Sequence, residues 1–184
     1  MRKIILDLAV TLDGFIEGPN GEIDWCNMDG DTGEIFTDFL AGIDDIFYGR
    51  ISYDLWGNYQ PGENEPAAMK EVCEVINRKN KYVFSRTKNG NDGHASFIND
   101  NIPERVQEIR QQPGKDIWLY GGGQLITVFM NLGLVDVYRL AIHPVILGAG
   151  KPLFKDIKER VGLTFNGVKT SAAGVMLAEY AVKR

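Results

Sequence analysis

Three consecutive glycines, Gly121, Gly122 and Gly123, separate an apolar run at residues 117–120 from an apolar segment that starts at Gln124. Glycine lets the backbone approach a ligand closely, and a helix that starts here would present unpaired N–H groups with partial positive charge. This glycine turn therefore favours binding of a diphosphate. A tight strand-to-helix turn without a ligand explains the same spacing equally well.

The glycine turn does not complete the dinucleotide-binding pattern G-x-G-x-x-G. Ile126 stands at the position of the third glycine, and no acidic residue ends a following strand where it could bind a ribose. The sequence therefore disfavours a Rossmann domain.

A second turn, the arginine turn at residues 49–52, follows another apolar run. Gly49 permits the tight turn, Arg50 supplies a cation, and Ser52 can cap a helix or bond a phosphate. For this motif alone, a surface arginine at the start of a helix is the commoner explanation.

A third turn, the serine turn at residues 85–87, consists of Ser85, Arg86 and Thr87 and follows a short apolar strand. Two hydroxyls and a guanidinium at a strand end suit a phosphate monoester. Each motif is weak alone, but three phosphate-suited strand ends in one sheet support each other. Together they match the diphosphate and the additional ribose phosphate of NADPH.

Acidic residues cluster before and within the first helical segment: Asp24, Asp29, Asp31, Glu34 and Asp38. A carboxylate buried near a substrate could relay a proton, and Glu34 and Asp24 are the candidates for that catalytic role. For most of the cluster, a solvated surface or a cap at the start of the helix is the better explanation.

Cysteine and histidine are scarce. Cys26 and Cys73 are too few for a disulfide-stapled secreted scaffold, and His94 and His143 show no close spacing with them, so no metal site is predicted. Cys26 has no base partner visible in the sequence, and His143, just before a proline, is expected to be structural.

Length and composition describe an ordinary globular chain. The 184 residues suit a single domain spanning residues 1–184, with 44% hydrophobic and 24% charged residues. A formal charge of -5 disfavours a nucleic-acid binder. No stretch approaches the roughly 20 apolar residues that span a bilayer, so no membrane contact is expected. The low cysteine count fits a reducing cytoplasm.

Strand-like and helix-like runs alternate along the chain, which predicts a mostly parallel sheet with helices on both faces. The last two strands have no helix between them, so an antiparallel C-terminal edge is expected. Ligands of such sheets bind at the carboxyl ends of the strands, where the three turns lie. Strands are predicted at residues 4–10, 45–48, 81–85, 96–98, 116–120, 135–142, 163–169 and 175–182, and helices at 32–40, 50–56, 66–78, 103–111 and 124–132.

The order of the motifs resembles that of the dihydrofolate-reductase-like superfamily. Within it, the chain is most similar to stand-alone relatives of the reductase domain of the bifunctional riboflavin-biosynthesis deaminase–reductase. The motifs that carry the resemblance are LDGFI (12–16), YGRISY (48–53), VFSRT (83–87), LYGGGQL (119–125) and PVILGAGKPLF (144–154).

The resemblance implies a three-layer α/β/α fold with an eight-stranded sheet, NADPH as hydride donor, and a homodimer. It implies that residues 13–25 cover the nicotinamide. The nearest named activity is reduction of 5-amino-6-(5-phosphoribosylamino)uracil. Matched by position, the implied cofactor-binding residues are Gly49, Arg50, Ser52, Ser85, Arg86, Thr87, Gly121, Gly122, Gly123 and Gln124.

The substrate half departs from the family pattern. Residues 21–26 keep a Gly-Glu pair and Trp25 but lose the polar partners, and Asp24 would repel a phosphoribosyl group. The buried carboxylate of dihydrofolate reductases would fall near Gly33, with Glu34 adjacent.

Three hypotheses follow from the sequence. The favoured one is an NADPH-dependent reductase of a small heterocyclic or carbonyl substrate. The alternatives are a non-catalytic ligand-binding module on the same fold and a dihydrofolate reductase.

Overall fold

A computed structural model describes residues 1–26 and 31–183. Short runs rich in β-branched and aromatic residues form the strands, as their preference for a pleated, half-buried surface predicts. Within the described residues, the strands are β1 (Ile4–Thr11), β2 (Phe15–Glu17), β3 (Ile43–Gly49), β4 (Asn80–Phe84), β5 (Gly90–Asn91), β6 (Ser96–Ile98), β7 (Asp116–Gly121), β8 (Val137–His143), β9 (Lys151–Pro152), β10 (Leu163–Thr170) and β11 (Met176–Val182).

Nine of these strands form one sheet in the order β10-β11-β8-β1-β7-β3-β4-β6-β5, counted over the described residues. β2 and β9 form a separate antiparallel pair. The six strands β8, β1, β7, β3, β4 and β6 run parallel to their neighbours within that group. β11 is antiparallel to β8, and β10 is antiparallel to β11.

The helices lie between the strands in sequence, and α2 runs directly into a π-helical turn over Tyr53–Gly57. In the described part of the chain, no helix combines the length and apolar character that crossing a membrane requires. The helices are α1 (Asp31–Ala41), α2 (Arg50–Ser52), α3 (Ala67–Asn77), α4 (Ile102–Gln111) and α5 (Gly123–Asn131).

Each sheet face carries its own hydrophobic core, because alternate residues of a strand point to opposite faces. On one face, Leu6 and Leu119 pack with Val106 of α4 and Phe129 of α5. On the other face, Trp118 and Tyr48 pack with residues of α1 and α3. The prediction of an α/β/α arrangement with an antiparallel C-terminal edge is confirmed.

A buried ion pair fastens the amino-terminal edge of the sheet. Arg2 Nη1 lies 2.7 Å from Asp45 Oδ2, and both side chains are almost fully buried. The Arg2 Nε–H also donates to the Lys115 carbonyl. Loss of one partner of such a pair leaves a buried charge and costs about 3–5 kcal/mol.

Two details differ from the sequence-based expectations. The resemblance implied eight strands, whereas the described sheet has nine, because the two-residue β5 extends it beyond β6. No strand was predicted between residues 10 and 45, whereas Phe15–Glu17 pairs with Lys151–Pro152. Both additions involve strands of two or three residues, which are too short to show a periodic pattern.

Candidate functional site

The parallel register brings the strand ends to one edge of the sheet. Tyr48 is level with Gly121, Gly49 is level with Phe84, and Phe84 is level with Ile98. Since each turn follows directly on its strand, the glycine, arginine and serine turns share the carboxyl edge of β7, β3 and β4.

The glycine turn and the arginine turn are in van der Waals contact. A Cβ built on Gly49 would lie 3.4 Å from the Gly121 carbonyl oxygen and 3.5 Å from the Gly122 nitrogen. A Cβ on Gly122 would lie 2.9 Å from Ser52 Oγ, closer than real Cβ atoms approach. The Ser52 hydroxyl therefore occupies the space over the Gly122 backbone that a side chain would take.

Helix α5 starts at the glycine turn without a side-chain cap, and Gly122 is its N-cap residue. The Gly122 carbonyl accepts hydrogen bonds from the N–H groups of Leu125 and Ile126 at 2.9 and 3.1 Å. Uncapped N–H groups and the helix dipole give this end a partial positive charge. The chemistry at this position favours an anion.

Asp54 links the arginine turn to the segment after the serine turn. Arg50 Nη1 lies 2.6 Å from Asp54 Oδ2, and Lys88 Nζ lies 3.7 Å from Asp54 Oδ1. All three side chains are about half exposed, and the Lys88 ammonium also lies 5.3 Å from the centroid of Phe97. Two cations from different strand ends thus share one carboxylate.

The serine turn is ordered by its own hydroxyl. Ser85 Oγ accepts hydrogen bonds from the N–H groups of Thr87 and Lys88 at 3.2 and 3.0 Å, and Ser85 is 9% exposed. Arg86 and Thr87 are exposed, and Arg86 forms no ion pair within the residues described. The exposed Arg86 therefore keeps a charge available to an anion, two residues before Lys88 in the chain.

Asp13 fastens the loop after β1 to the turn before β9. Its carboxylate accepts hydrogen bonds from the Thr11 hydroxyl at 2.6 Å and from the N–H groups of Gly148 and Leu147 at 2.8 and 3.3 Å. The bond from Thr11, followed by those from the two amides, lowers the pKa of Asp13. The neighbouring β2–β9 pair brings Lys151 and Ile16 against Gly123.

Cys26 and His143 meet on the other side of this loop. Cys26 Sγ lies 4.0 Å from His143 Nε2, and the Trp25 ring packs edge-on against the imidazole with centroids 5.4 Å apart. Burial lowers the pKa of His143 and raises that of Cys26, so both side chains are neutral near pH 7. The two residues are separated by 117 positions, and their types and local sequence gave no sign of the contact.

The acidic candidates do not form a buried group. Asp24, Glu34 and Asp38 are all exposed to solvent. Asp29 lies outside the described residues. A catalytic role for Glu34 or Asp24 stays a prediction.

The structure brings together most of the predicted cofactor-binding positions. Gly49, Ser52 and the glycine turn are in contact, and Gln124 is exposed on the first turn of α5. Lys88 and Asp54 were missed by the sequence analysis. The four-residue spacing between Arg50 and Asp54 on a predicted helix was a usable signal for that ion pair.

Several solved structures share this fold. A putative riboflavin biosynthesis protein from Shewanella sp. PV-4 superposes with a TM-score of 0.77 at 21% identity, with 100% of both chains covered. A Thermotoga maritima deaminase/5-amino-6-(5-phosphoribosylamino)uracil reductase superposes with a TM-score of 0.70 at 15% identity, over 99% of this chain and 57% of that one. At these identities the likeness shows the fold.

Two relatives from Bacillus subtilis (strain 168) align over nearly the whole chain. The uncharacterized protein YyaP is 60% identical over 179 residues, which cover 97% of this chain and 94% of YyaP. The uncharacterized protein YwjB is 31% identical over 182 residues, which cover 96% of each chain. The family model of the RibD C-terminal domain matches residues 2–177. The expectation drawn from the five sequence motifs is confirmed, and the chain belongs to the RibD C-terminal domain family.

Proposed function

We propose that this protein is an NADPH-dependent reductase that transfers a hydride to a small heterocyclic or carbonyl substrate. The observation that carries the proposal is the convergence of three anion-suited turns at one edge of the sheet. Arg50 and Lys88 share Asp54 there, beside the uncapped start of α5. Family membership supports the reductase class.

The residues present fit a dinucleotide phosphate. The glycine turn offers backbone N–H groups without side chains, and Ser52 adds a hydroxyl beside Gly122. These groups would hold the diphosphate. Arg86, Thr87 and Lys88 at the end of β4 would hold the additional ribose phosphate, since guanidinium and hydroxyl groups bond a phosphate monoester well.

When bound, NADPH would supply a hydride to an electrophilic carbon of the substrate, whose neighbouring atom takes up a proton. The chain would position the cofactor and shield the reacting atoms from water. Asp13 contributes by fixing the loop after β1 through three hydrogen bonds. Orientation of the two reactants lowers the barrier by making their reaction effectively unimolecular.

Substitution of the two arginines tests the cofactor assignment. We expect Arg50→Ala and Arg86→Ala each to weaken NADPH binding about tenfold or more, since a hydrogen bond to a charged group contributes about 1.5–3 kcal/mol. Arg86→Ala should also reduce the preference for NADPH over NADH. Calorimetric titration measures both affinities. Arg78→Ala on α3, which removes an exposed pair with Glu74, is the matched control and should change neither.

A non-catalytic binding module on the same fold is the second candidate. Residues 21–26 lack the polar residues of the family pattern, and this departure favours the non-catalytic candidate. NADPH binding without oxidation across pterins, pyrimidine nucleotides and simple carbonyl compounds would select this candidate. Oxidation that depends on dihydrofolate would instead select a dihydrofolate reductase.

A further inference from the structure

Tyrosines precede two of the three turns on the sheet face that α1 covers. Tyr48 immediately precedes Gly49, and Tyr120 immediately precedes Gly121. The centroids of the two tyrosine rings lie 4.7 Å apart. Trp118 continues the stack, with its centroid 5.0 Å from that of Tyr120. Tyr48 and Trp118 are buried, so the aromatic surface that adjoins these turns is that of the partly exposed Tyr120.

The polar groups near this surface are neutral. Burial, with a smaller contribution from the nearby Cys26 thiol, raises the pKa of Tyr120. The Tyr48 hydroxyl is buried and has no hydrogen-bond partner within the described residues. Cys26 and His143 add a thiol and an imidazole. These are hydrogen-bonding groups for an uncharged polar atom and offer no cation to an anion.

The charge of the loop after β1 disfavours anions on this side of the site. Residues 12–26 contain Asp13, Glu17, Glu22 and Asp24 and no Lys or Arg. Asp24 and Glu22 of that loop are exposed. A phosphate or carboxylate on the substrate would meet repulsion on this side of the site.

Lys151 of β9, near the glycine turn, is paired with Glu17. The cations that β8 and β10 bring to this face are also engaged or distant. Arg139 of β8 lies 3.4 Å from Asp7 and 3.8 Å from Glu179, and its guanidinium stacks 4.4 Å from the Phe39 centroid. Lys169 is exposed on β10, three strands from β1, or about 14 Å away at the usual strand spacing. Neither is placed to compensate a phosphate near Trp25.

We propose that the substrate is an uncharged planar heterocycle or conjugated carbonyl compound, without a phosphate or carboxylate, that packs beside Trp25 and Tyr120 and hydrogen-bonds to the Cys26–His143 pair. This inference rests on the proposed reductase function. It assigns the substrate side a chemistry different from that of the phosphoribosyl compound named for the Thermotoga maritima protein.

Two matched pairs of probes test the proposal by direct binding. The first pair is 5,6-diaminouracil and 5-amino-6-(5-phosphoribosylamino)uracil, and the second is 1,4-naphthoquinone and its 2-sulfonate. Calorimetry on the protein saturated with NADP+ gives each affinity without turnover. We expect the uncharged member of at least one pair to bind about tenfold tighter or more than its anionic partner.

Charge reversal supplies the matched variants. Asp24→Lys should reduce the difference in affinity between the uncharged and the anionic member of a pair, because it replaces repulsion of the anion by attraction. Glu104→Lys on α4, on the opposite sheet face, should leave this difference in affinity unchanged. Equal or tighter binding of the anionic members would overturn the proposal, and so would failure of both uncharged members to bind. Failure of NADP+ itself to bind would instead contradict the cofactor assignment.

Discussion

Asp7 is a buried carboxylate on β1 whose neighbours only partly compensate its charge. Burial raises its pKa from 3.8 to about 7, although Arg139 opposes the shift and Glu179 adds to it. The folded state therefore binds a proton that the unfolded state releases at lower pH. The stabilisation from protonated Asp7 is complete below the unfolded pKa and is lost as the pH rises through the folded pKa.

This linkage predicts a pH-dependent difference between the unmutated protein and Asp7→Asn. The free energy of unfolding of the unmutated protein, relative to that of Asp7→Asn, should fall by on the order of a few kcal/mol between about pH 4 and pH 8. Urea unfolding across this pH range measures the difference. Glu108→Gln, at an exposed pair with Arg105, is the control and should show no such trend. A constant or rising difference for Asp7→Asn would refute the linkage.

For single residues, the sequence pattern predicted which backbone positions lie together, and it did not predict side-chain contacts between residues that are distant in sequence. Gly49, Ser52 and Gly122 are close in space because their strands are level, which the strand pattern predicts. Lys88 and His143 are defined by side-chain contacts with Asp54 and Cys26. Such contacts depend on where the loops lie, which local residue patterns do not specify.

At the scale of elements, the glycine turn sets the geometry of the carboxyl edge of the sheet. Gly121 has φ +103°, and a Cβ there would lie 2.9 Å from Ile126 Cδ1. Gly133, just after α5, has φ +63° and open space around it. Both glycines have a positive φ, but Gly121 at the candidate site also lacks room for a Cβ, whereas Gly133 lies away from the site and has that room.

Alanine substitution separates backbone strain from cofactor binding. We expect Gly121→Ala and Gly133→Ala each to lower the free energy of unfolding by about 1–3 kcal/mol, because both force alanine into the positive-φ region. NADPH affinity should fall sharply in Gly121→Ala and stay unchanged in Gly133→Ala. Chemical unfolding and calorimetric titration give the two quantities. Unchanged affinity in Gly121→Ala would remove the glycine turn from the cofactor site.

Long periodic elements were predicted well. Among the short strands, β6 was predicted with its observed bounds, whereas β2, β5 and β9 were not predicted. The helix over residues 66–78, read from the spacing of Met69, Val72, Cys73 and Ile76, forms as Ala67–Asn77. The helix expected over 50–56 starts as α2 but continues as a π-helical turn, which packs buried Tyr53 under the arginine turn. Side-chain packing decides whether such a segment forms a π-helical turn. The helical pattern of the sequence does not distinguish a π-helical turn from an α-helix.

At the scale of the whole molecule, the C-terminal strands leave an apolar surface open. Residues of β10 and β11 that point to the α5 side of the sheet include Leu163, Phe165, Val168 and Met176, with exposures of 36, 57, 52 and 40%. A contiguous exposed apolar patch is typical of a protein interface. We propose that a second copy of the chain covers it, as the family resemblance implied.

Light scattering coupled to size-exclusion chromatography tests this homodimer. The unmutated protein should have the mass of two 20.5 kDa chains, and Phe165→Glu should have the mass of one. Thr164→Glu, on the same strand but the opposite face, should remain a dimer. A monomeric unmutated protein, or a dimer in both variants, would contradict this interface.

We propose that the three turns at the carboxyl edge bind a phosphorylated nicotinamide nucleotide. Calorimetric titration of the unmutated protein with NADPH and with NADH tests this proposal. We expect one NADPH site per chain and an affinity about tenfold or more above that for NADH, since the charges of Arg86 and Lys88 favour the additional phosphate. Equal affinities would contradict the role of Arg86, and absence of NADPH binding would contradict the account as a whole.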